Sequence, residues 1–314
     1  MRAVVDAVVI GRNEGARLRA CLVSLQGQVR RMIYVDSGST DGSVQLAQTL
    51  GAEVVALDVS KGFTAARARN AGLAVLQSPD FVQFVDGDCE VVAGWIGRAL
   101  AGFAAHPLAV VVCGRRRERF PEASVYNRLA DAEWDTQVGQ ALACGGDALM
   151  RFAAVQAVGG YDAELIAGEE PDLCLRLRRA GGEVWRIEAE MTLHDANLLH
   201  FGQWWRRMVR SGFAFAEGAA RYGAAPERHW VQEMRRAVFW GLALPLVIIA
   251  AGIASCWGWV LGLIYPVHVA RLARRGGWAW AFYTVVGKFA EARGVVSYWM
   301  NRLAGRRRGL IEYK

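Results

Sequence analysis

In FVQFVDGDC, residues 81–89, an apolar run stops abruptly at a pair of carboxylates. The run 81–85 is short, β-branched and aromatic, as a strand buried inside a sheet requires. Asp86 and Asp88 follow it, with Gly87 between them. Two carboxylates two positions apart at the end of a buried strand repel each other unless a cation or hydrogen bonds compensate, and Gly87 permits a tight turn that brings both toward one ion. A divalent metal bridging to a diphosphate supplies that compensation. An isolated Asp-Gly-Asp is more often a plain surface turn, so its neighbours decide its meaning.

Working outward, VVDAVVIG (4–11) and RMIYVDSG (31–38) are further Val/Ile-rich runs, separated by a segment whose Leu18, Cys21, Leu22 and Leu25 fall at helical spacing. The alternation continues through a helix at 41–50, a strand at 53–57, a helix at 63–77, the strand at 81–85 and a helix at 91–104. This rhythm predicts an α/β domain with a mainly parallel sheet covered by helices. Ligands of such sheets bind beyond the carboxyl ends of the strands. The polar clusters sit at those ends: Asn13 and Glu14, Asp36 to Ser43, Lys61, and Asp86 to Asp88. Neither GxGxxG after the first strand nor GxxxxGK[ST] occurs, which removes the dinucleotide-binding and P-loop readings. Farther on, GEEPDLCLRLRRAG (168–181) opens a helix with Glu169, Glu170 and Asp172 in its first turn. Capping accounts for part of that charge, and one of the remaining carboxylates could act as a general base toward a hydroxyl.

Charge is distributed unevenly along the 314 residues. The net balance is 0 over residues 1–100, −5 over 101–200 and +12 over 201–314, and nine of the twelve Trp lie after residue 200. A basic, aromatic tail of this kind suits anionic lipid headgroups better than a nucleic-acid groove, so phospholipid is the expected partner and nucleic acid is not. Within the tail, residues 237–267 carry no formal charge. That run is too long for one upright span of ~20 residues, while its two halves are too short, so a re-entrant or shallow helical hairpin broken around Gly252–Gly258 is expected, with a single tilted span as the alternative. Arginines on both flanks, including Arg306–Arg308, favour returning both ends to the cytosolic side. Six scattered cysteines without a CxxC fit reduced thiols in a cytosolic catalytic part. The expected organisation is a catalytic domain over 1–200, amphipathic interfacial helices over 201–236, a hydrophobic membrane segment over 237–270, and a basic aromatic tail over 271–314.

Taken together, Asn13-Glu14, VDSGSTDGS (35–43), KGFTAARARNAG (61–72), Asp86-Gly87-Asp88, the GGD…R stretch (145–151) and GEEPDLCLRLRRAG (168–181) resemble the inverting family 2 glycosyltransferases of GT-A fold. The nearest resemblance is to bacterial membrane-associated members that build exopolysaccharide or other envelope glycans. It implies that Glu14 contacts the ribose of a nucleoside diphosphate sugar, Asp36 the base, Asp86 the nucleoside or donor sugar, and Asp88 a Mg²⁺ or Mn²⁺ ion on the diphosphate. Lys61 and Arg69 are implied near the nucleotide, and His194 in TLHD matches a histidine that completes the metal site in some members. The family's base is the second residue of a Glu-Asp pair, so Glu170 takes that place with one extra methylene and Glu169 competes for it. Gln203-Trp204-Trp205-Arg206-Arg207 is similar to the Gln-x-x-Arg-Trp motif of processive synthases with its last Trp replaced, leaving Arg206 as a cation for departing diphosphate.

The implied reaction is inverting transfer of a sugar to a lipid-linked or membrane-adjacent acceptor at the cytoplasmic side of a bacterial inner membrane, in the company of polysaccharide assembly proteins. Two rivals are set against it. A sugar nucleotidyltransferase would release pyrophosphate from a nucleoside triphosphate, and a non-catalytic scaffold would bind no nucleotide sugar.

Overall fold

A computed structural model describes residues 3–305. The chain divides into two compact units, one formed by the residues up to Ala123 with Ala130–Asn197, the other by Ser124–Leu129 with the residues from Leu198 onward.

In the first unit, β1 (Val5–Gly11), α1 (Ala16–Leu25), β2 (Met32–Asp36), α2 (Ser43–Thr49), β3 (Glu53–Ala56), α3 (Ala65–Ala74) and β4 (Phe81–Asp86) alternate in sequence. β1 is buried along nearly its whole length, and α1 turns Leu18, Cys21, Leu22 and Leu25 into the core. After β4 come β5 (Cys89–Val91), α4 (Trp95–Ala105), β6 (Ala109–Glu118), α5 (Val125–Glu133), β7 (Gly139–Ala141), β8 (Ala148–Arg151), α6 (Phe152–Ala157), α7 (Glu169–Arg179) and β9 (Glu183–His194). The helix expected from residue 91 is therefore a short strand followed by a helix that starts at Trp95. Cys89–Val91 pair antiparallel with Thr192–His194, and Gly94, at φ 75°, turns the chain into α4.

The sheet order is β3-β2-β1-β4-β8-β6-β9-β5, with β7 also on β9. Strands β3, β2, β1 and β4 are mutually parallel, β8 runs against both β4 and β6, and β6 lies parallel to β9. Register aligns the chemistry on one edge. Gly11 faces Asp36 and Ile10 faces Asp86, while Ala148, opposite Phe84, starts β8 just after Asp147. Because β8 reverses direction twice over, the C-terminal ends of β6 and β9 return to this same edge, with Glu118 opposite His194.

The second unit is helical. α8 (Phe201–Tyr222) packs along α11 (Ile264–Leu303), and Gly212 and Gly294 stand where any side chain would strike the opposite helix backbone. α9 (Val231–Val238), a π-turn (Phe239–Ala243) and α10 (Leu244–Ala254) form one continuous helical run. This run, Val231–Ala254, is long and apolar enough to cross a membrane, with a mean hydropathy of 2.3 over its best window, and it is the one such helix among the described residues. A 3-10 segment (Cys256–Leu263) turns the chain into α11, which runs through residues 270 and 271 unbroken and bends instead at Gly277 (φ 81°, ψ 165°). Helix continuity follows backbone bonding, so it ignores the change of composition that suggested boundaries at 236 and 270. Arg306–Arg308 lie outside the described residues.

Candidate active site

The strand ends converge on a buried ionic cluster. Asp86 closes β4, Asp88 follows it across Gly87, and His194 closes β9 with Nε2 3.1 Å from Asp88 Oδ2. Arg69 reaches in from α3: its Nη2 donates to Asp86 Oδ1 at 2.8 Å, and its Nη1 lies 2.8 Å from Glu170 Oε1 and 3.2 Å from Glu169 Oε1. Arg116, from β6, donates through Nη2 to the other oxygen of Asp86 at 3.1 Å and places Nε 3.4 Å from Asp147 Oδ2. Asp147 is fully buried, accepts the Asp86 N–H at 3.1 Å and the Thr192 hydroxyl at 2.7 Å, and so ties β4, β8 and β9 together.

Close approach here depends on glycine. A methyl group on Gly146 would stand 2.7 Å from both Arg69 Nη2 and Asp86 Oδ2. Gly146→Ala is expected to displace that ion pair and destabilise the fold by about 1–3 kcal/mol through overpacking. Urea unfolding measures it, and an unchanged midpoint would show that the 145–147 loop gives way without cost.

The first two loops are laced together next to this cluster. Asn13, at φ 56°, donates its N–H to Ser39 Oγ at 2.9 Å and accepts the Thr40 N–H through Oδ1 at 2.7 Å. Glu14 pairs with Arg17 at 2.7 Å, and its Cγ lies 3.3 Å from where a Cβ on Gly87 would be, which places it over the Asp86–Asp88 turn. Asp36 is nearly buried and shapes its own turn: Oδ2 accepts the N–H groups of Gly38 and Ser39, and Oδ1 accepts the Tyr34 hydroxyl at 3.1 Å.

Around the centre, the carboxylates Asp86, Asp88, Asp147, Glu169 and Glu170 face the two guanidiniums of Arg69 and Arg116. Of the two α7 glutamates that pair with Arg69, Glu170 meets the more water. Glu170 keeps 15% side-chain exposure against 5% for Glu169. Burial and the neighbouring Glu169 push the Glu170 carboxyl up to about 7, against the opposing pull of Arg69. His194 moves the other way, down to about 3, because burial and the Arg116 charge disfavour the imidazolium. A neutral imidazole beside a buried carboxylate is a metal-ready pair. His194 Nδ1 is buried without a hydrogen-bond partner, and Asp88, Cys89 and His194 present ligand atoms within 4.8 Å of one another. These residues fit a divalent cation.

Residues 6–155 match the sequence profile of glycosyl transferase family 2. The chain belongs to that family. A pre-mycofactocin glycosyltransferase of Mycobacterium tuberculosis is 30% identical over 239 residues, which are 69% of this chain and 48% of that protein. The succinoglycan biosynthesis protein ExoA of Rhizobium meliloti is 28% identical over 192 residues, covering 56% of this chain and 58% of the relative. The chain thus spans about half the length of the curated relatives it matches. Among solved structures, a mannosyltransferase from Pyrobaculum calidifontis in complex with GDP-Man and Mn²⁺ superposes with a TM-score of 0.70 at 19% identity, over 96% of this chain and 88% of the other. The GT-A-like α/β fold of this family 2 member is thereby established.

Seen in that fold, the sequence-derived residues separate into groups. Asp86, Asp88, Glu169, Glu170, His194 and Arg69 are brought together, with Glu14 over their turn. Arg69 is sealed among the carboxylates of Asp86, Glu169 and Glu170 at 2% side-chain exposure. Asp36 spends its carboxylate on the turn that follows β2. Lys61 ends a 3-10 turn (Val59–Lys61), and its side chain lies outside what the structure describes. Arg206 is exposed on α8 in the second unit. Three residues of this cluster were not singled out as site residues from the sequence: Asp147, within the GGD…R stretch, Arg116 and Trp134. The CGGD turn before an apolar strand was a usable signal for Asp147. Arg116 sits in RRRE, which reads as a solvated strand end.

Proposed function

We propose that this chain transfers a sugar from a nucleoside diphosphate sugar to a hydroxyl of a lipid-linked or membrane-adjacent acceptor, inverting the anomeric carbon. The observation that carries the reading is the juxtaposition of a metal-ready Asp88–His194 pair with Glu170, a partly exposed carboxylate poised near neutrality, across the shared Arg69–Asp86 ion pair.

In this reading Asp88 and His194 hold Mg²⁺ or Mn²⁺. Once bound, such an ion would neutralise diphosphate charge as the leaving group departs. Glu14 and Asp86 orient the donor, and Asp36, through the turn it builds, presents the loop that faces the base. Glu170 Oε takes the proton from the acceptor hydroxyl, the acceptor oxygen bonds to the anomeric carbon, and the bond from that carbon to the β-phosphate oxygen breaks. Arg206 and the basic residues around it would serve anionic headgroups or the departing diphosphate.

The acceptor class rests on the second unit. Ile253, Trp257 and Val267 are 80%, 79% and 66% exposed beside the apolar run Val231–Ala254, a surface that water disfavours and a bilayer accepts. The two named relatives, one acting on pre-mycofactocin and one in succinoglycan biosynthesis, agree with a bacterial glycan pathway. We assign the chain to the cytoplasmic face of the inner membrane on these grounds, with polysaccharide assembly proteins as further partners.

Asp88→Asn is expected to weaken Mn²⁺ binding by more than about 100-fold, since groups that merely orient a metal ligand already contribute 10–100-fold. Titration calorimetry with UDP-, GDP- and dTDP-sugars checks this, and metal-independent donor binding would overturn the ligand assignment. Incubation of each donor with envelope lipid extract, followed by proton-coupling analysis of the product, tests the reaction. Retention of anomeric configuration would exclude the single-displacement mechanism, and transfer confined to water-soluble acceptors would exclude the membrane acceptor.

A further inference from the structure

Histidines that ligate metals as a rule donate their second ring N–H to a carboxylate, a carbonyl or water, which fixes tautomer and orientation. His194 departs from that rule. Its Nε2 faces Asp88 at 3.1 Å, while Nδ1 is buried with no hydrogen-bond partner. What stands against the ring is Trp134, with centroids 4.7 Å apart and planes inclined at 56°. The same indole also carries the Arg116 guanidinium, whose Cζ lies 5.1 Å from its centroid. An aromatic face is electron-rich and attracts a cation or an N–H directed at it.

Trp134 is itself firmly mounted. Its backbone N–H donates to Ala130 O at 3.1 Å, and the residues around it are tied down by Arg115, which reaches Asp131 at 3.1 Å and Asp135 at 3.3 Å. Arg115 and Arg116 are adjacent yet serve different partners because β6 changes register on both sides of Arg115, an irregularity that re-aims successive side chains.

We propose that Trp134 is a positioning residue for His194: its indole packs against the imidazole, holding the ring so that Nε2 faces the Asp88 carboxylate, and it couples that ring to Arg116 and through it to Asp86. The inference rests on the metal reading given under Proposed function. Its consequence is that metal affinity depends on an aromatic face at position 134.

The test is Mn²⁺ binding to the full chain, read from the electron paramagnetic resonance of free Mn²⁺, for the parent, His194→Ala, Trp134→Leu and Trp134→Phe. Trp134→Leu is expected to lose 10–100-fold in affinity, Trp134→Phe to stay within about threefold, and His194→Ala to lose at least as much as Trp134→Leu. A Trp134→Leu protein that binds Mn²⁺ like the parent while His194→Ala does not overturns this inference alone. Parent-like binding by His194→Ala overturns the metal reading and this inference with it. Equal losses in Trp134→Leu and Trp134→Phe also overturn it, because an aromatic face alone then does not suffice.

Discussion

Glu170→Gln is expected to lower the rate of sugar transfer by about 10²–10⁴-fold, the usual contribution of a positioned general base, while donor binding stays within a few-fold of the parent. Glutamine preserves the volume and the contact with Arg69 but cannot accept the acceptor's proton. The pH profile carries the same information. A base must be deprotonated to act, and Glu170 titrates near 7, so transfer by the parent should rise as pH passes through about 7 and level off above it. The stability linkage runs in the opposite sense. Because the folded-state value lies above the ordinary carboxyl value of 4.5, the folded protein holds a proton that the unfolded chain has released between about 4.5 and 7, and stability falls as pH rises across that window. Glu170→Gln should therefore flatten this part of the stability profile and unfold at higher denaturant than the parent at pH 8. Glu169→Gln is the control: more deeply buried and held by the same Arg69, Glu169 should affect stability more than rate. Full activity in Glu170→Gln with a large loss in Glu169→Gln would exchange the two roles.

The sheet half of this molecule was legible because a parallel strand announces both its burial and its end. Runs such as VVIG and FVQFVD stop where the backbone leaves the sheet, so Asn13, Glu14, Asp36 and Asp86 could be assigned to one edge from the sequence before any coordinates. His194 and Glu170 came from motif resemblance, and the register of β9 and the first turn of α7 bring them to that edge. Other parts left no periodic trace. Arg116 depends on the register shifts in β6, Trp134 on its contacts with His194 and Arg116, and Gly146 on an approach between two distant segments. These are long-range facts, and a local pattern carries no record of them. The helical unit was legible in composition but not in boundaries: hydropathy located the apolar run, whereas the break at Gly277 follows from backbone conformation.

Arg69→Met is expected to be the most destabilising single change in the centre, by about 3–5 kcal/mol, because it leaves buried carboxylates without their cation. Arg69 is sealed at 2% side-chain exposure against Asp86, Glu169 and Glu170. With it gone, Asp86 retains Arg116, but the two glutamates of α7 lose the cation that pairs with both of them. Against a typical total of ~5–15 kcal/mol such a loss is large enough to see in any equilibrium unfolding experiment. Lysine should recover only part of it, since a point charge cannot bridge three carboxylates as a planar fork does. The triple change Arg69→Met with Glu169→Gln and Glu170→Gln should recover more stability than Arg69→Lys, by removing the charges that need compensation, and should remain inactive. A second readout separates this electrostatic role from packing. Arg69 holds the Glu170 carboxyl down against burial and its acidic neighbours, so weakening that hold in Arg69→Lys should move the rise in transfer rate to a pH above 7. If Arg69→Lys keeps both the stability and the pH profile of the parent, the guanidinium is filling space, and the tuning of Glu170 must come from burial and Glu169 alone.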